Sequence, residues 1–476
     1  MTKQMGSLED EEKQIESISF MLVVMVVAVL NLIAIPKVVN TPVNTWYFLD
    51  MHGYYKLVIL LVLSMIMLTL MGFKGLVRKQ HIKISLPLTL FTLWILVSLF
   101  FAKDVAVAFH GYPLRWQGFL AYFCYAIVFV FVVNMIKQKY IGKLLVALLI
   151  NVGLCSIHSI LNYYGFEPLN LITKHFFDAT ITPDISRGTL GNRNTAGAFF
   201  AIPTIITLVM FLKNKNNKKN IFYYITFVLS YTGLLVSLTR VAWLGTIGAL
   251  VLTVIFLRKD LKKNFKKNIL IIVTFVVVLV VLDFTGSGKI VGRYYSMQHQ
   301  IKQANEGNIE QLGTHRLNIY FRAIKVIADK PIVGTGPDCF AYYATLTRED
   351  YEKDPGLSNI GYFDKVHSEY LEYAATMGIP ALIFYMWFIL SIFIPWFRKR
   401  KQMEPKILAI FLGLTGYLMQ ACFNFGSIST LPVFFVLLGI LKNALLNESN
   451  GENELDKEKD KVEITKVDTN DKYSLT

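Results

Sequence analysis

The sequence predicts an all-α polytopic membrane protein with about twelve transmembrane helices. Of its 476 residues, 54% are hydrophobic and only 17% are charged, a balance too apolar for a soluble protein of several domains. Apolar segments of bilayer-spanning length, about 17 to 25 residues, recur along most of the chain. Lys and Arg residues, which give a formal net charge of +15, concentrate in short runs between these segments. This pattern is typical of cytoplasmic loops and argues against a nucleic-acid partner.

The helices are predicted within one transmembrane domain, residues 18–446. A polar cytoplasmic segment, 1–17, precedes it without a small-residue cleavage site, so we expect the first helix to be retained. The apolar segments lie near 18–35, 56–73, 84–101, 118–136, 144–163, 195–212, 221–239, 241–257, 269–284, 376–396, 407–424 and 430–446. The polar, charged segment 447–476 is expected to be a disordered cytoplasmic tail.

The distribution of cations predicts the orientation, with both termini in the cytoplasm. The short loops then placed inside hold 22 Lys and Arg residues; they are 74–83, 137–143, 213–220, 258–268 and 397–406. The outer loops 36–55, 102–117 and 164–194 hold one, two and three. This asymmetry follows the positive-inside rule.

One outer segment, 285–375, is far longer than a connection between two helices requires. Loops of that length are usually functional, and we expect this one to contain a folded layer. Residues 314–331, THRLNIYFRAIKVIADKP, place apolar side chains at helical spacing, with Thr314 as a candidate N-cap. The sequence therefore predicts an amphipathic helix on the membrane surface or packed on the bundle.

Arginines supply the first candidate site residues. Arg240 lies between two apolar runs with almost no loop around it, where a cation is costly unless it is paired. It either snorkels to the outer headgroups or binds an anion. Arg316 begins the amphipathic helix, whose N-terminus would favour the same anion, although a surface arginine would fit the spacing equally well. Arg193, in the Gly- and Asn-rich GTLGNRNTAG, is a weaker candidate, and Arg115 is most simply an interface anchor beside Trp116.

The stretch FDKVHSEYLEYAATMGIPA, 363–381, supplies a candidate base. If a helix begins near Asp364, His367 and Tyr370 share its inward, apolar face. Asp364 would then cap the helix or hold the imidazole tautomer, while Glu369 and Glu372 would be solvated. A lone histidine on an apolar face is more often a packing residue than a catalyst, so this pattern alone leaves both roles open.

Several signals are absent from the sequence. It contains no P-loop, no HExxH motif and no Cys/His spacing suited to zinc, so no metal and no cofactor is expected. Its four cysteines show no paired framework.

Four stretches together resemble the O-antigen ligase and polymerase superfamily, the Wzy_C-type membrane glycosyltransferases. In chain order they are GTLGNRNTAG, SLTRVAWLG, THRLNIYFRAIKVIADKPIVGTGPDCF and DKVHSEYLEYAATMGIPALIFY. The resemblance covers about residues 100 to 440. It implies a GT-C-like fold with an outward, lipid-open cavity in the cytoplasmic membrane of a bacterium, and a role in cell-surface polysaccharide or cell-wall biosynthesis.

The resemblance also implies a reaction. A glycan passes from undecaprenyl diphosphate to an acceptor, with inversion and without metal, on the outer face of the membrane. The implied acceptor is a lipid, a wall polymer, a protein or another lipid-linked repeat, which leaves ligase and polymerase as alternatives.

The family's site residues map onto three positions of this chain. Arg240 is similar to the arginine of the family's Ser-Arg-Gly-Ala stretch and Arg316 to the arginine before its Gly-x-Gly-Pro turn, both implied to hold the donor diphosphate. His367 is similar to the histidine of the His-Asn stretch, a general base or a polar partner of the acceptor. The sequence departs from the family with GNRN, TRVA and HS, so Arg193 is either a third phosphate ligand or a harmless replacement.

A transporter or flippase of lipid-linked oligosaccharide is the alternative interpretation. Twelve helices and intramembrane cations would suit either class. The long outer segment with Arg316 and His367 favours the enzyme, because a transporter is expected to keep its charged site near the bilayer midplane.

Overall fold

The computed structural model describes residues 2–43, 47–177, 188–305, 313, 315–353, 357 and 361–448. The predicted cap Thr314 and the predicted tail from residue 449 onward lie outside the described residues. In chain order the α-helices are α1 Thr2–Val24, α2 Tyr54–Gly72, α3 Leu86–Phe100, α4 Val105–His110, α5 Phe119–Met135, α6 Gln138–Tyr163, α7 Asn170–Phe177, α8 Arg193–Lys213, α9 Asn217–Val236, α10 Arg240–Lys263, α11 Phe265–Thr285, α12 Lys289–Asn305, α13 Arg316–Asp329, α14 Arg348–Lys353, α15 Glu369–Met377, α16 Ile379–Arg398, α17 Pro405–Ala421 and α18 Leu431–Glu448.

Short elements extend or connect these helices. Single π-helical turns, Met25–Val29 and Phe73–Val77, continue α1 and α2. The 3-10 turns are Leu30–Leu32, Gly188–Leu190 and Phe340–Tyr342. Two antiparallel strands, β1 Lys37–Asn40 and β2 Tyr47–Asp50, pair Lys37 with Asp50 and Asn40 with Tyr47. This hairpin and the helices α4, α7, α12 and α14 are additions to what the sequence predicted.

The helices confirm an all-α polytopic membrane protein. Within the described residues, eight helices are long and apolar enough to cross a membrane: Asp10–Leu32, Tyr54–Val77, Gln138–Tyr163, Arg193–Lys213, Arg240–Lys263, Phe265–Thr285, Ile379–Arg398 and Leu431–Glu448. Three shorter apolar helices, α3, α5 and α17, lie at predicted positions, and α9 occupies the place of the seventh predicted segment. The total of twelve spans stays a prediction.

Helix α8 forms the centre of the bundle. Its apolar residues are buried on all sides, as expected of a helix that is hydrophobic around its whole circumference. Neighbouring α9, α10 and α17 pack against it. At Gly197 an added Cβ would lie 2.8 Å from Cβ of Thr239, so glycine permits the close approach that brings the start of α10 beside the start of α8.

The segment between α11 and α16 has a hydrophobic cluster of its own. Ile319, Ala323 and Val326 of the predicted amphipathic helix, α13, pack on Phe340 and Val366. The opposite face of α13 exposes Phe321 and Ile324. A helix is therefore present where the sequence predicted one, and its buried face stabilises the segment between α11 and α16.

Candidate functional site

Loops from distant parts of the chain meet at the helix ends near α13 and α15. The carbonyl of Arg193 accepts a hydrogen bond from Thr239 Oγ1 at 2.9 Å, which joins the start of α8 to the start of α10. Asn424 Nδ2 donates to the carbonyl of Asn194 at 3.1 Å, and the carbonyl of Asn424 accepts from the N–H of Glu369 at 2.7 Å. The connection between α17 and α18 thus links α8 to α15.

Four arginines gather at this end of the bundle, and we call them the arginine cluster: Arg193, Arg240, Arg293 and Arg316. Burial lowers the pKa of Arg316 and of Arg293, and the nearby charges of Arg193 and Arg240 lower both further. Within the described part of the chain, Arg193, Arg293 and Arg316 have no carboxylate within ion-pair distance. Cations that lie this close together form a site suited to a multiply charged anion.

Two of the arginines donate to neutral oxygen atoms. Arg316 Nη1 donates to the carbonyl of Phe423, and Arg240 Nη2 donates to Gln300 Oε1 at 3.4 Å. Carbonyl and amide oxygens orient a guanidinium without cancelling its charge. Arg316 therefore lies at the N-terminus of α13 as the sequence predicted, and Gln300 on α12 brings a previously unpredicted helix to Arg240.

His367 lies in the turn before α15, half-buried, at the edge of this group. Its backbone is left-handed, with φ of 59°, and its carbonyl accepts from the Tyr320 hydroxyl at 3.2 Å. The ring packs edge-on against Phe425 at 5.0 Å, and Nδ1 is buried without a hydrogen-bond partner among the described residues. Burial lowers the pKa of His367 to about 3, and Arg316 lowers it in the same direction. The imidazole is therefore neutral at physiological pH.

The roles predicted for Asp364 and Arg115 are wrong in part. The helix expected to begin near Asp364 begins at Glu369 and is capped by Ser368 Oγ, because Asp364 is engaged elsewhere. Asp364 Oδ2 accepts from Nε of Arg115 at 2.5 Å. Burial opposes ionisation, but Arg115 lowers the pKa of Asp364 below its usual range. Asp364 acts on His367 through its charge rather than as a cap.

Arg115 is not an interface anchor. Its guanidinium pairs with Asp364 and lies over the Phe425 ring, 5.2 Å from the centroid. The adjacent Trp116 is buried and donates to Asp50 Oδ2 at 2.6 Å, so both side chains are engaged by acids of the protein. Arg115 instead joins the loop before α5 to the turn that carries His367.

The acids expected to be solvated are buried. Glu369 and Glu372 are 1% and 3% exposed. Glu369 accepts hydrogen bonds from three tyrosine hydroxyls, Tyr417 at 2.6 Å, Tyr385 at 2.7 Å and Tyr373 at 3.2 Å. Burial raises the pKa of Glu369, while these hydrogen bonds oppose the rise. Tyr370, predicted to share the face of His367, donates to the carbonyl of Leu418 at 2.9 Å.

Replacing Glu369 by glutamine is expected to lower the free energy of unfolding by about 1–3 kcal/mol. The substitution replaces one acceptor oxygen by an amide NH₂ group, which is a donor. The tyrosine hydroxyls that donated to that oxygen then lose their acceptor. Thermal unfolding of the purified protein in detergent measures the effect. Glu404→Gln, at an exposed carboxylate, is the matched control, and equal stability of the two variants would contradict the tyrosine arrangement.

Lys365 forms a buried ion network two residues before His367. Its Nζ lies 2.6 Å from Asp338 Oδ1 and 3.0 Å from Glu372 Oε1. Asp338 Oδ2 accepts from the backbone N–H groups of Tyr112 and Gln117, at 2.7 and 3.0 Å. The network therefore fixes the loop that carries Arg115 relative to the turn that carries His367.

Sequence reasoning missed three parts of this site. Arg293 was overlooked because no helix was predicted around it, and Lys365 because it precedes a more conspicuous histidine. The third is the connection between α17 and α18, which contributes Asn424 and Phe425. Its signal was available in CFNFGSIST, where polar residues and glycine interrupt two apolar runs.

The sequence also led us to expect unpaired thiols, and the four cysteines are free in the structure. Among the described residues, no group of three His, Cys, Asp or Glu side chains could hold a metal ion.

The fold and the site together define a multi-pass membrane protein with a concentrated cationic centre at one end of its helices, next to a neutral histidine. Residues 225–386 match the Wzy_C family model, described as O-antigen ligase. This match confirms the family resemblance and includes Arg240, Arg293, Arg316 and His367. The family supports a role as a ligase or polymerase in polysaccharide biosynthesis, as a membrane glycosyltransferase-like enzyme acting on lipid-linked glycan and acceptor substrates. No curated protein matches the chain.

Proposed function

We propose that this protein transfers a glycan from an undecaprenyl-diphosphate donor to an acceptor hydroxyl on the outer face of the cytoplasmic membrane. The observation that carries the proposal is the arginine cluster next to the neutral imidazole of His367. A diphosphate requires concentrated positive charge, and a sugar hydroxyl requires a proton acceptor. In this proposal the arginine cluster supplies the positive charge and His367 supplies the proton acceptor, and the same converging loops carry both.

The arginine cluster holds the donor diphosphate. Guanidinium groups bind phosphate oxygens bidentately and stay charged throughout the reaction. As the bond between the anomeric carbon and the phosphate oxygen breaks, its electron pair leaves with undecaprenyl diphosphate. Arg240 and Arg316 stabilise that developing charge, and Arg193 and Arg293 complete the anion site.

His367 accepts the proton of the attacking hydroxyl. Nδ1 is buried, which leaves Nε2 as the ring nitrogen that an acceptor can reach. The acceptor oxygen forms the new bond to the anomeric carbon while its proton passes to His367. A single displacement of this kind inverts the anomeric centre. A bound diphosphate would offset the charge of Arg316 and so raise the pKa of the imidazole, making it a better base when the donor is present.

The position of the charges supports the enzyme over a flippase. Arg193 and Arg240 are the first residues of their helices, and Arg316 and His367 lie outside the spanning segments. A carrier that moves a charged headgroup across the bilayer is expected to hold its site near the midplane. The proposal includes ligase and polymerase, which differ in whether the acceptor is a lipid, a wall polymer, a protein or a second lipid-linked repeat.

Arg316→Gln and Arg240→Gln are each expected to lower the rate of glycan transfer by about 10² to 10³-fold, the usual cost of removing one group that stabilises transition-state charge. The assay combines purified protein, undecaprenyl-diphosphate glycan and candidate acceptors, and measures the new glycosidic product. Arg258→Gln, at an exposed position near the far end of the helix that Arg240 begins, is the matched control.

Two outcomes would overturn the proposal. Normal product from both arginine variants would remove the cluster from the reaction. Movement of lipid-linked glycan across the bilayer without a new glycosidic bond would establish the flippase instead.

A further inference from the structure

A polar cavity and an apolar groove lie side by side at the end of the bundle opposite to the candidate site. The cavity, of about 480 Å³, lies between α1, the end of α2, the α5–α6 junction and the end of α18. The groove, of about 490 Å³, runs between α2, α3 and α5. We propose that the two together bind one anionic phospholipid, with its phosphate in the cavity and an acyl chain in the groove.

The charge of the cavity fits a phosphate. Four cationic side chains line it, Lys74, Arg78, Lys83 and Lys137, against the two carboxylates of Glu12 and Glu16. Together with Glu11, which pairs with Arg78, three carboxylates lie next to four cations, so positive charge stays in excess. The excess positive charge attracts an anionic headgroup more strongly than a zwitterionic one.

Two of these lysines are available to a ligand. Lys74 Nζ donates to the carbonyl of Asn134 at 2.7 Å, and neither Lys74 nor Lys83 lies within 4 Å of a carboxylate in the described part of the chain. The backbone of Lys83 is fixed, because its N–H and carbonyl bind the Asn134 amide group at 2.7 and 2.9 Å. Lys137, by contrast, is paired with Glu16. Lys74 and Lys83 therefore form the phosphate-binding side of the cavity.

The groove makes the ligand a lipid rather than free phosphate. Ile82 and Ile84 line the groove while Lys83, between them, lines the cavity. In the same way Lys74 faces the cavity and Gly75 the groove. One segment therefore separates a cationic compartment from an apolar one, which matches the junction between a phospholipid headgroup and its chain. The segment is the cation-rich loop 74–83, so the lipid would come from the leaflet that we propose to be cytoplasmic.

Native mass spectrometry of the full-length protein, released from bilayers of equal phosphatidylglycerol and phosphatidylcholine, tests the proposal. Wild-type protein is expected to retain one phosphatidylglycerol in preference to phosphatidylcholine. Lys74→Gln with Lys83→Gln is expected to weaken that retention about thirtyfold, from the loss of two interfacial charges. Lys215→Gln with Lys218→Gln removes the same charge from an exposed inner loop and is expected to leave retention unchanged.

A second variant tests the groove without altering charge. An added Cβ at Gly72, which lines the groove, meets no atom within 4 Å, so Gly72→Leu is accommodated and fills the space intended for the chain. It is expected to reduce phosphatidylglycerol retention, and it keeps the test decisive if the double lysine variant does not fold.

Three results would overturn the proposal. They are equal retention of the two lipids by wild-type protein, retention unaffected by the lysine and glycine variants, and displacement of the lipid by inorganic phosphate as efficiently as by added phosphatidylglycerol. The last result would assign the cavity to free phosphate. None of these outcomes depends on the proposed reaction, which is measured separately by glycosidic product.

Discussion

Replacement of His367 by asparagine is expected to lower the rate of glycan transfer by about 10² to 10⁴-fold, the usual contribution of a positioned general base. Asparagine is chosen because His367 has a left-handed backbone, which asparagine tolerates better than alanine. The backbone turn before α15 is then preserved while the proton acceptor is lost. Product formation from the lipid-linked donor is the measurement, with His110→Asn, at an exposed histidine, as the control.

The pH profile separates a base from a packing residue. With its pKa near 3, the free enzyme's imidazole stays neutral from about pH 4 upward, so kcat/KM should show no loss of activity at the usual histidine pKa of about 6.5. Donor binding adds negative charge next to the ring, so the acidic limb of kcat should lie at higher pH than that of kcat/KM. Full activity of His367→Asn, or identical acidic limbs in the two profiles, would contradict the proposed role.

Replacement of Lys365 by methionine is expected to lower the free energy of unfolding by about 3–5 kcal/mol, the cost of leaving a buried charge unpaired. Two buried carboxylates, Asp338 and Glu372, share its ammonium group. Burial alone would lower the pKa of Lys365, but the two acids raise it instead, so the lysine is charged in the folded protein. Thermal unfolding in detergent, followed by size-exclusion chromatography, measures the loss. Lys325→Met, at an exposed lysine of α13, is the control.

A second substitution distinguishes charge from packing. Adding Glu372→Gln to Lys365→Met removes one of the two unpaired carboxylates and should recover part of the stability. If the double variant is no more stable than Lys365→Met, or if Lys365→Met equals its control, the ion network does not stabilise the fold. Because Asp338 also holds the loop before α5, variants that stay folded should lose activity through misplacement of Arg115.

The membrane fold was predictable because hydropathy is a local property. A run such as 195–212 is mostly apolar and carries no charged residue, and it forms the buried helix α8. The same holds for the position of the helix predicted within residues 314–331, which the structure places at Arg316–Asp329. Arg240, Arg316 and His367 were also proposed in this way, since a charge beside an apolar run is conspicuous and the family's motifs mark the same positions.

The partners of charged side chains were not predictable, because the two members of a pair are far apart in the sequence. Asp364 was expected to cap a helix or to hold the tautomer of His367, but its partner is Arg115, 249 residues away in the chain. Glu369 was expected in solvent, since an acid at the start of a helix commonly is. Its burial depends on hydroxyls from α15, α16 and α17, which converge only in the folded bundle.

The sequence by itself determined the class of protein, the orientation we propose and the residue types able to bind a diphosphate and accept a proton. Apolar length and the balance of cations between loops are read residue by residue, without knowing which helices touch. Only the tertiary structure decided which cationic side chains remain available to bind an anionic ligand. Arg115 and Lys365 are paired with acids, whereas Arg193, Arg293 and Arg316 have no carboxylate partner among the described residues. The physical reason is that the interaction energy of two charges depends on their separation and their burial. Both are fixed only when the loops converge in the folded protein.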